Sequence, residues 1–306
     1  VKRLLWLVAV CALVVTGCGG SGGDTSAPKR RVVGVSLLTA GDAFYKALEA
    51  GLREEAAAKG FDLAIVACEK DAPKQASQIE DFVAQHVAAI VLAPCDSDAV
   101  VPALAGPERA GIPVFTTDIS AHGGKVVSHV ASDNVQGGRL AAEAMAGFMG
   151  GTGHVVIIDQ PTVASVQDRV RGFEEGLKKF PGITIVAKPA TDGNRDSATR
   201  VMEDMIQAHR EITGVFGIND NCALSAASVI EAAGRKDIAV IGFDATDEAQ
   251  AAIRKGGPFK ADVIQYPKKI GQLTIDAVAD FFAGKTVPSV TAVDVGIVDA
   301  KALGIK

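Results

Sequence analysis

The sequence predicts an α/β protein made of two doubly wound lobes, each built on a parallel sheet. Three observations predict it. Short apolar runs of strand length alternate with helical stretches along most of the chain. The connections between them are short. The alternation runs through one series up to about residue 130, and a second series of similar rhythm then begins. The chain has 306 residues, 48% of them apolar, which leaves room for two such units with a core each. No fixed short period runs through it, and that excludes a solenoid.

Taken in order, residues 31–38 read as a strand and 43–59 as a helix that Gly60 stops. Strands at 61–67, 87–92 and 114–117 alternate with helices at 73–85 and 99–110, and Gly111-Ile112-Pro113 leads into the last of these strands. Residues 126–130 read as a strand that crosses towards the second lobe, and 135–149 as the helix after it. Strands at 154–158, 183–187, 215–218 and 238–241 then alternate with helices at 166–179, 196–209 and 222–233. A strand at 261–264, a helix at 268–282 and one last strand over 290–298 complete the series.

Residues 212–244 carry the clearest functional reading. They form a βαβ unit, so both strands leave the sheet at the same edge. The first strand ends in Asn219-Asp220 and the second in Gly242-Phe243-Asp244. Ligands of open α/β sheets bind at the carboxyl ends of strands, so Asn219 and Asp244 point at one crevice. An amide and a carboxylate together donate and accept, which suits a ligand rich in hydroxyls.

Other features bound the function. Net charge is −5 with no long basic block, which argues against nucleic acid as a partner. Lys2 and Arg3 precede an apolar run from Leu4 to Val15, the pattern of a signal peptide over 1–17 that is too short to span a bilayer. Val15-Thr16-Gly17-Cys18 resembles a bacterial lipobox, which would make Cys18 the lipidated first residue of the mature chain. Residues 18–30 then form that cysteine and a flexible Gly/Ser tether. Cys68, Cys95 and Cys222 read as three isolated buried thiols, with a Cys68–Cys95 bridge as the alternative. His86, His122, His129, His154 and His209 are scattered without metal spacing, so neither a metal site nor a cofactor is expected. Gly150-Gly151-Thr152-Gly153 follows a helix and precedes a strand, the wrong order for a phosphate loop. Asp133-Asn134 reads as a helix N-cap. Arg169 and Arg171 lie on different faces of their helix, so only one of them can face a crevice.

Together, PCDSDAV at 94–100, IPVFTTD at 112–118, VVSHVASDN at 126–134, GVFGIND at 214–220, VIGFD at 240–244 and IQYP at 264–267 resemble the type I periplasmic sugar-binding proteins of ABC importers, nearest the ribose-binding group. The matching stretches span Val33 to Val298. The resemblance implies the type I periplasmic binding protein fold, two doubly wound parallel-sheet lobes joined by a three-strand hinge. Its crossovers fall near Ser132-Asp133, Gln265-Tyr266 and Asp294-Val295. That divides the chain into an N-terminal lobe of 31–132 plus 266–294 and a C-terminal lobe of 133–265 plus 295–306. It also implies ligand contacts at Phe44 and Tyr45, Asp118, Arg169, Asn219, Asp244 and Gln265, and so chooses between the two arginines. Asp42, Ile119 and Asn194 are further candidates in loops that differ from the pattern. Ile119 stands where the ribose-binding pattern has an arginine, and the turn after Pro189 lacks its aromatic.

The expected function is capture of a monosaccharide or related polyol outside the cytoplasm and delivery to the membrane and ATPase subunits of an ABC importer. The protein would be a monomer that meets the membrane only through its lipid. The alternative is a sugar-sensing receptor coupled to chemotaxis or signalling. A glycosidase is disfavoured because an arginine between the crevice carboxylates opposes a proton-holding acid. No enzyme is expected. A repressor of the lac type needs a basic helix-turn-helix where this chain has a leader and tether.

Overall fold

A computed structural model describes residues 30–305. The expected signal peptide, Cys18 and the tether up to residue 29 lie outside the described residues. Along the chain run β1 (Arg31–Leu37), α1 (Ala43–Lys59), β2 (Phe61–Ala67), α2 (Ala72–Ala84), β3 (Ala89–Leu92), α3 (Ala105–Ala110), β4 (Val114–Thr117) and β5 (Ser128–Ser132). They continue with α4 (Asn134–Met149), β6 (Thr152–Ile158), α5 (Ala164–Leu177), β7 (Gly182–Ala187), α6 (Arg195–Ala208), β8 (Gly214–Gly217) and α7 (Asp220–Ala232). Last come β9 (Ala239–Asp244), α8 (Asp247–Lys255), β10 (Phe259–Ile264), α9 (Pro267–Phe282), β11 (Val290–Val293) and β12 (Gly296–Asp299).

The strands form two six-stranded sheets, β11-β5-β4-β3-β1-β2 and β12-β10-β9-β8-β6-β7. Every pairing is parallel except that of β12 with β10. The central strands are apolar on both faces, as strands covered by helices on two sides must be: β3 and β8 are buried at every residue. Helix starts follow the chain's own caps. Asp42, Asp71, Asp133, Asn194, Asn219 and Thr246 each accept a backbone N–H in the first turn of the next helix.

The chain passes between the sheets three times: between β5 and α4, between β10 and α9, and between β11 and β12. On the far side of the first two passages, α4 packs on β9 and β10, and α9 packs on β4 and β5. Each of these helices also lies against a neighbour at glycine distance. A Cβ at Gly138 of α4 would fall on the Arg169 carbonyl of α5, and one at Gly172 of α5 on the Val135 carbonyl of α4. Gly51 of α1 and Gly271 of α9 do the same for the other pair.

Several expectations need correction. The stretch read as one strand over 290–298 is two strands in different sheets, with Asp294 and Val295 between them. The strand read at 126–130 lies two residues later, as β5. The helix read over 99–110 starts as a 3-10 turn at Val101–Leu104 and becomes α-helical only at Ala105. Pro102 sits in that first turn, where a proline has no interior N–H to lose. Helix α8 was not anticipated: it is only nine residues long and buries only Ala249 and Ile253. Cys68 and Cys95 are bonded to each other, not isolated. They follow β2 and β3, which flank β1, and their Cα atoms are 6.6 Å apart. Cys222 is free and buried, and burial pushes its thiol up to about 12.

His129 on β5 is the one histidine that the fold perturbs strongly. Its Nδ1 lies 2.9 Å from the Thr116 hydroxyl, and burial pushes its pKa down to about 4. The unfolded imidazole takes a proton near pH 6.5 that the folded one refuses. This contribution to stability is therefore complete above the unfolded value and lost as pH falls towards the folded one. The loss should approach about 3 kcal/mol. Urea denaturation at stepped acid pH checks it: His129→Gln should show a shallower acid decline than the wild type. An equal decline in both would remove His129 as its cause.

Candidate functional site

The carboxyl ends of both sheets meet at one cleft, with about 490 Å³ of atom-free space including its mouth. The loop after β1 and the start of α1 bring Asp42, Phe44 and Tyr45. The residues after β4 bring Asp118 and Ile119. Helix α5 brings Arg169, the loop after β8 brings Asn219, the end of β9 brings Asp244, and Gln265 follows β10.

The first lobe's half of the cleft is set by a tyrosine–carboxylate pair. Tyr45 donates its hydroxyl to Asp118 Oδ2 at 2.6 Å, and both residues are buried. Asp118 has φ of 63°, a strained conformation for an aspartate. Its other oxygen, Oδ1, is buried without a partner. Burial pushes the Asp118 carboxyl up, while the Arg169 charge and the Tyr45 hydroxyl pull it down. Burial also holds the Tyr45 phenol well above its usual value, with the Asp118 charge adding to that. Phe44 packs edge-on against Tyr45 with ring centroids 5.3 Å apart.

The second lobe's half is built on Arg169. Its Nε donates to Asn134 Oδ1 at 2.9 Å, and Nη1 donates to the Ile218 carbonyl at 2.7 Å. The guanidinium lies 3.9 Å over the Phe243 ring, and Nη1 is 3.9 Å from Asp244 Oδ1. Gln265 Nε2 donates to the same Asp244 oxygen at 2.6 Å, and Gln265 Oε1 is left buried without a partner. Burial and the charge of Asp220 push the Asp244 carboxyl up, and Arg169 and Gln265 oppose them. Asp244 also has positive φ, 128°.

Hydrogen bonds join the lobes around the cleft. Asn221 Nδ2 donates to Asp42 Oδ2 at 2.8 Å, and Lys70 Nζ donates to the Asp192 carbonyl at 2.7 Å. The Ser97 N–H reaches the Thr162 carbonyl at 3.0 Å, and the Ala164 N–H reaches Ser97 Oγ at 2.9 Å.

Phe44, Tyr45, Asp118, Arg169, Asn219, Asp244 and Gln265 thus line one cleft, with Asp42 and Ile119. Arg171 faces solvent and pairs with Asp168 at 2.7 Å. Two candidates have structural duties as well. Asp42 caps α1 and holds Asn221, and Asn219 caps α7 while its amide donates to the Gly193 carbonyl at 3.0 Å. Asn194 lines the adjoining opening that shares Asp42, Lys70 and Asp244 with the cleft; it also caps α6, and its amide donates to Asp192 Oδ2 at 2.7 Å. Sequence reasoning missed Lys70, Gln160, Val163, Ser165, Val166 and Gly193, which also line the cleft. Gln160 follows β6 as Asn219 follows β8, so the strand-end rule that found Asn219 could have found it. Gln160 Oε1 occupies the space that a side chain at Gly193 would need, in the turn that lacks the family aromatic.

Two parallel-sheet lobes, crossed three times by the chain and closed on a polar cleft, define a bilobed solute-binding protein of type I fold. The chain belongs to the family of the periplasmic binding protein domain, which matches residues 33–286. It is 37% identical over 260 residues to the ribose import binding protein RbsB of Bacillus subtilis, covering 85% of this chain and 84% of that one. It is 29% identical over 247 residues to a xylitol-binding protein of Mycolicibacterium smegmatis, covering 80% and 70%. Among solved structures, an ABC transporter solute binding protein from Mycobacterium smegmatis with bound glycerol matches with a TM-score of 0.85 and 32% identity, over 90% of this chain and 96% of that one.

The Tyr45–Asp118 contact lies within one lobe, so it does not depend on closure. Tyr45→Phe removes the only hydrogen bond to the buried Asp118 carboxylate among the described residues and should cost about 1–3 kcal/mol of stability. Urea denaturation measures it. A midpoint equal to the wild type's would mean that water satisfies Asp118 in the free protein.

Proposed function

We propose that this protein captures a monosaccharide or related polyol between its lobes and delivers it to the membrane and ATPase subunits of an ABC importer. One observation carries the reading: the cleft lining includes two buried acceptor oxygens without partners, Asp118 Oδ1 and Gln265 Oε1, beside the Arg169 fork. Ligand hydroxyls donate to the first two and accept from the third. Phe44, Val163 and Val166 supply apolar surface for the carbon skeleton. The names of relatives, with ribose, xylitol and glycerol among them, support the same class. Reversible binding needs no catalytic step, and the lobes signal occupancy by their separation.

The protein acts outside the cytoplasm, as a periplasmic binding protein does, and is held there by lipid on Cys18. Expressed with its leader in a bacterium, it should partition with membranes, and Cys18→Ala should abolish incorporation of labelled lipid. Undiminished labelling in that variant would remove the anchor.

Ile119 narrows the ligand. It lines the cleft and is 2% exposed, with no donor to offer where the ribose-binding pattern has an arginine. A ligand hydroxyl turned towards it would go unpaired at about 1–3 kcal/mol. The preferred ligand therefore presents fewer hydroxyls or a differently shaped chain at that point. Competition calorimetry of D-ribose against xylitol and myo-inositol tests this, and ribose should not be the tightest of the three. Ribose winning with sub-micromolar affinity would sink the inference from Ile119.

A further inference from the structure

The cleft does not account for every buried acid near it. Asp262 on β10 is fully buried, and neither of its carboxyl oxygens has a hydrogen-bond partner. Asp220, the first residue of α7, is 4% exposed, and its Oδ1 has none either. The two carboxyl groups face each other within hydrogen-bonding range. Gly242 pairs with Asp262 across the sheet and leaves room for it: a Cβ there would stand 3.0 Å from Asp262 Oδ1. Two ionised carboxylates so placed repel strongly, and their facing oxygens go unpaired. A single proton between them removes both costs.

The surroundings decide which acid holds that proton. Asp220 Oδ2 accepts the Thr246 N–H at 2.8 Å and the Thr246 hydroxyl at 2.5 Å, and the N-terminus of α7 favours its charge. Asp244 has Gln265, Arg169 and the Asp220 N–H at 3.4 Å. Asp262 meets only the Ala245 N–H, which points towards it without closing a normal hydrogen bond. No cation reaches it from the elements around it. Across the sheet β12 presents Val298, α8 turns Ala249 and Ile253 inward, and α4 sets Gly137 against Val263. The charges felt by the three acids are their own, with Asp42 acting on Asp220 and Asp244 and Arg169 acting on Asp244. The proton therefore belongs on Asp262, which donates it to Asp220 Oδ1.

This pair sits beneath a strained turn, with φ of 128° at Asp244 and 55° at Ala245. Asp220 holds the turn from below through Thr246 and through its own N–H on Asp244 Oδ2. We propose that Asp220 and Asp262, sharing one proton, are positioning residues that hold the turn of residues 244–246 and so aim Asp244 into the cleft. Loss of the proton puts two charges face to face, loosens the turn and weakens ligand binding.

The direction of the pH effect follows. Burial, and then the Asp220 charge, hold the Asp262 carboxyl well above the usual carboxylate range. The folded protein thus keeps a proton that the unfolded chain releases. This contribution to stability is complete below the unfolded value and is lost as pH rises through the folded one.

The test compares wild type with Asp262→Asn, whose amide N–H replaces the shared proton. As pH rises from neutral into the alkaline range, the melting point of the ligand-free wild type should fall more steeply than that of the variant. At neutral pH the wild type should show an infrared carbonyl band of a protonated carboxyl group that the variant lacks. Calorimetry with xylitol as probe should show affinity falling about tenfold over the same range in the wild type and holding in the variant. Parallel melting curves, or no acid band lost on substitution, overturn the shared proton. Equal pH profiles of xylitol affinity overturn the link to Asp244. The xylitol arm rests on reading the cleft as a sugar or polyol site. If xylitol fails to bind, that reading suffers, while the melting and infrared arms still decide the pair. Should Asp262→Asn fail to fold, Asp220→Asn gives the same comparison.

Discussion

Arg169 is the only buried lysine or arginine among the described residues, and it stands among acids. A guanidinium cannot lose its proton to escape burial, so the structure must compensate it in place. Nε is tied to Asn134, Nη1 to the Ile218 carbonyl, and the flat face to Phe243. These partners come from α4, from the end of β8 and from β9, and they bring three elements to one point. The close approach of α4 and α5 follows from the same need. Asn134 reaches Arg169 because Gly138 and Gly172 let the two helix backbones touch. With its neutral partners satisfied locally, the cation retains a field that acts on Asp118 and Asp244 from opposite lobes.

Each crevice aspartate is fixed inside its own lobe. Asp118 is held by Tyr45 and Asp244 by Gln265, and both have positive φ that aims the carboxyl out of the strand direction. The hydrogen bonds that cross between lobes involve other groups: Asp42, Lys70 and Ser97 on one side. Opening the lobes would break those and leave both half-sites assembled. The two polar half-sites are thus preorganised, whichever way the lobes sit.

Much of this was legible in the sequence because parallel strands buried on both faces write continuous apolar runs. The strand-end rule placed Asn219 and Asp244 in one crevice without any relative in view. What failed to show has physical reasons. Residues 290–298 read as one strand because each half is short and apolar, and nothing local says that Asp294 and Val295 carry the chain from one sheet to another. The Cys68–Cys95 bond joins strands separated by β1, so it needs the strand order as well as the spacing. Asp262 lies in a strand otherwise fit for the core, and an isolated acid there looks like a solvent-facing position until Asp220 is seen opposite. Asn194, Asp42 and Asn219 are all helix caps as well as cleft or cleft-mouth residues, so their residue types alone do not single them out as contacts.

The glycine-tight helix pairs explain how contacts in the cleft and the passages between lobes belong to the same rigid bodies. α4 takes the chain as it leaves β5, and it is locked to α5, which carries Arg169. α9 takes the chain as it leaves β10, and it is locked to α1, which carries Phe44 and Tyr45. Gln265 is itself within the second passage, and Asn134 is at the end of the first. Any rotation of one lobe against the other must therefore be absorbed by the few residues of the three passages, because the helices cannot slide without driving backbone into backbone. A side chain added at Gly138 or Gly271 would act on both ends of this linkage at once. It would push a pair of helices apart, displace a cleft residue and shift the segment about which the lobes turn.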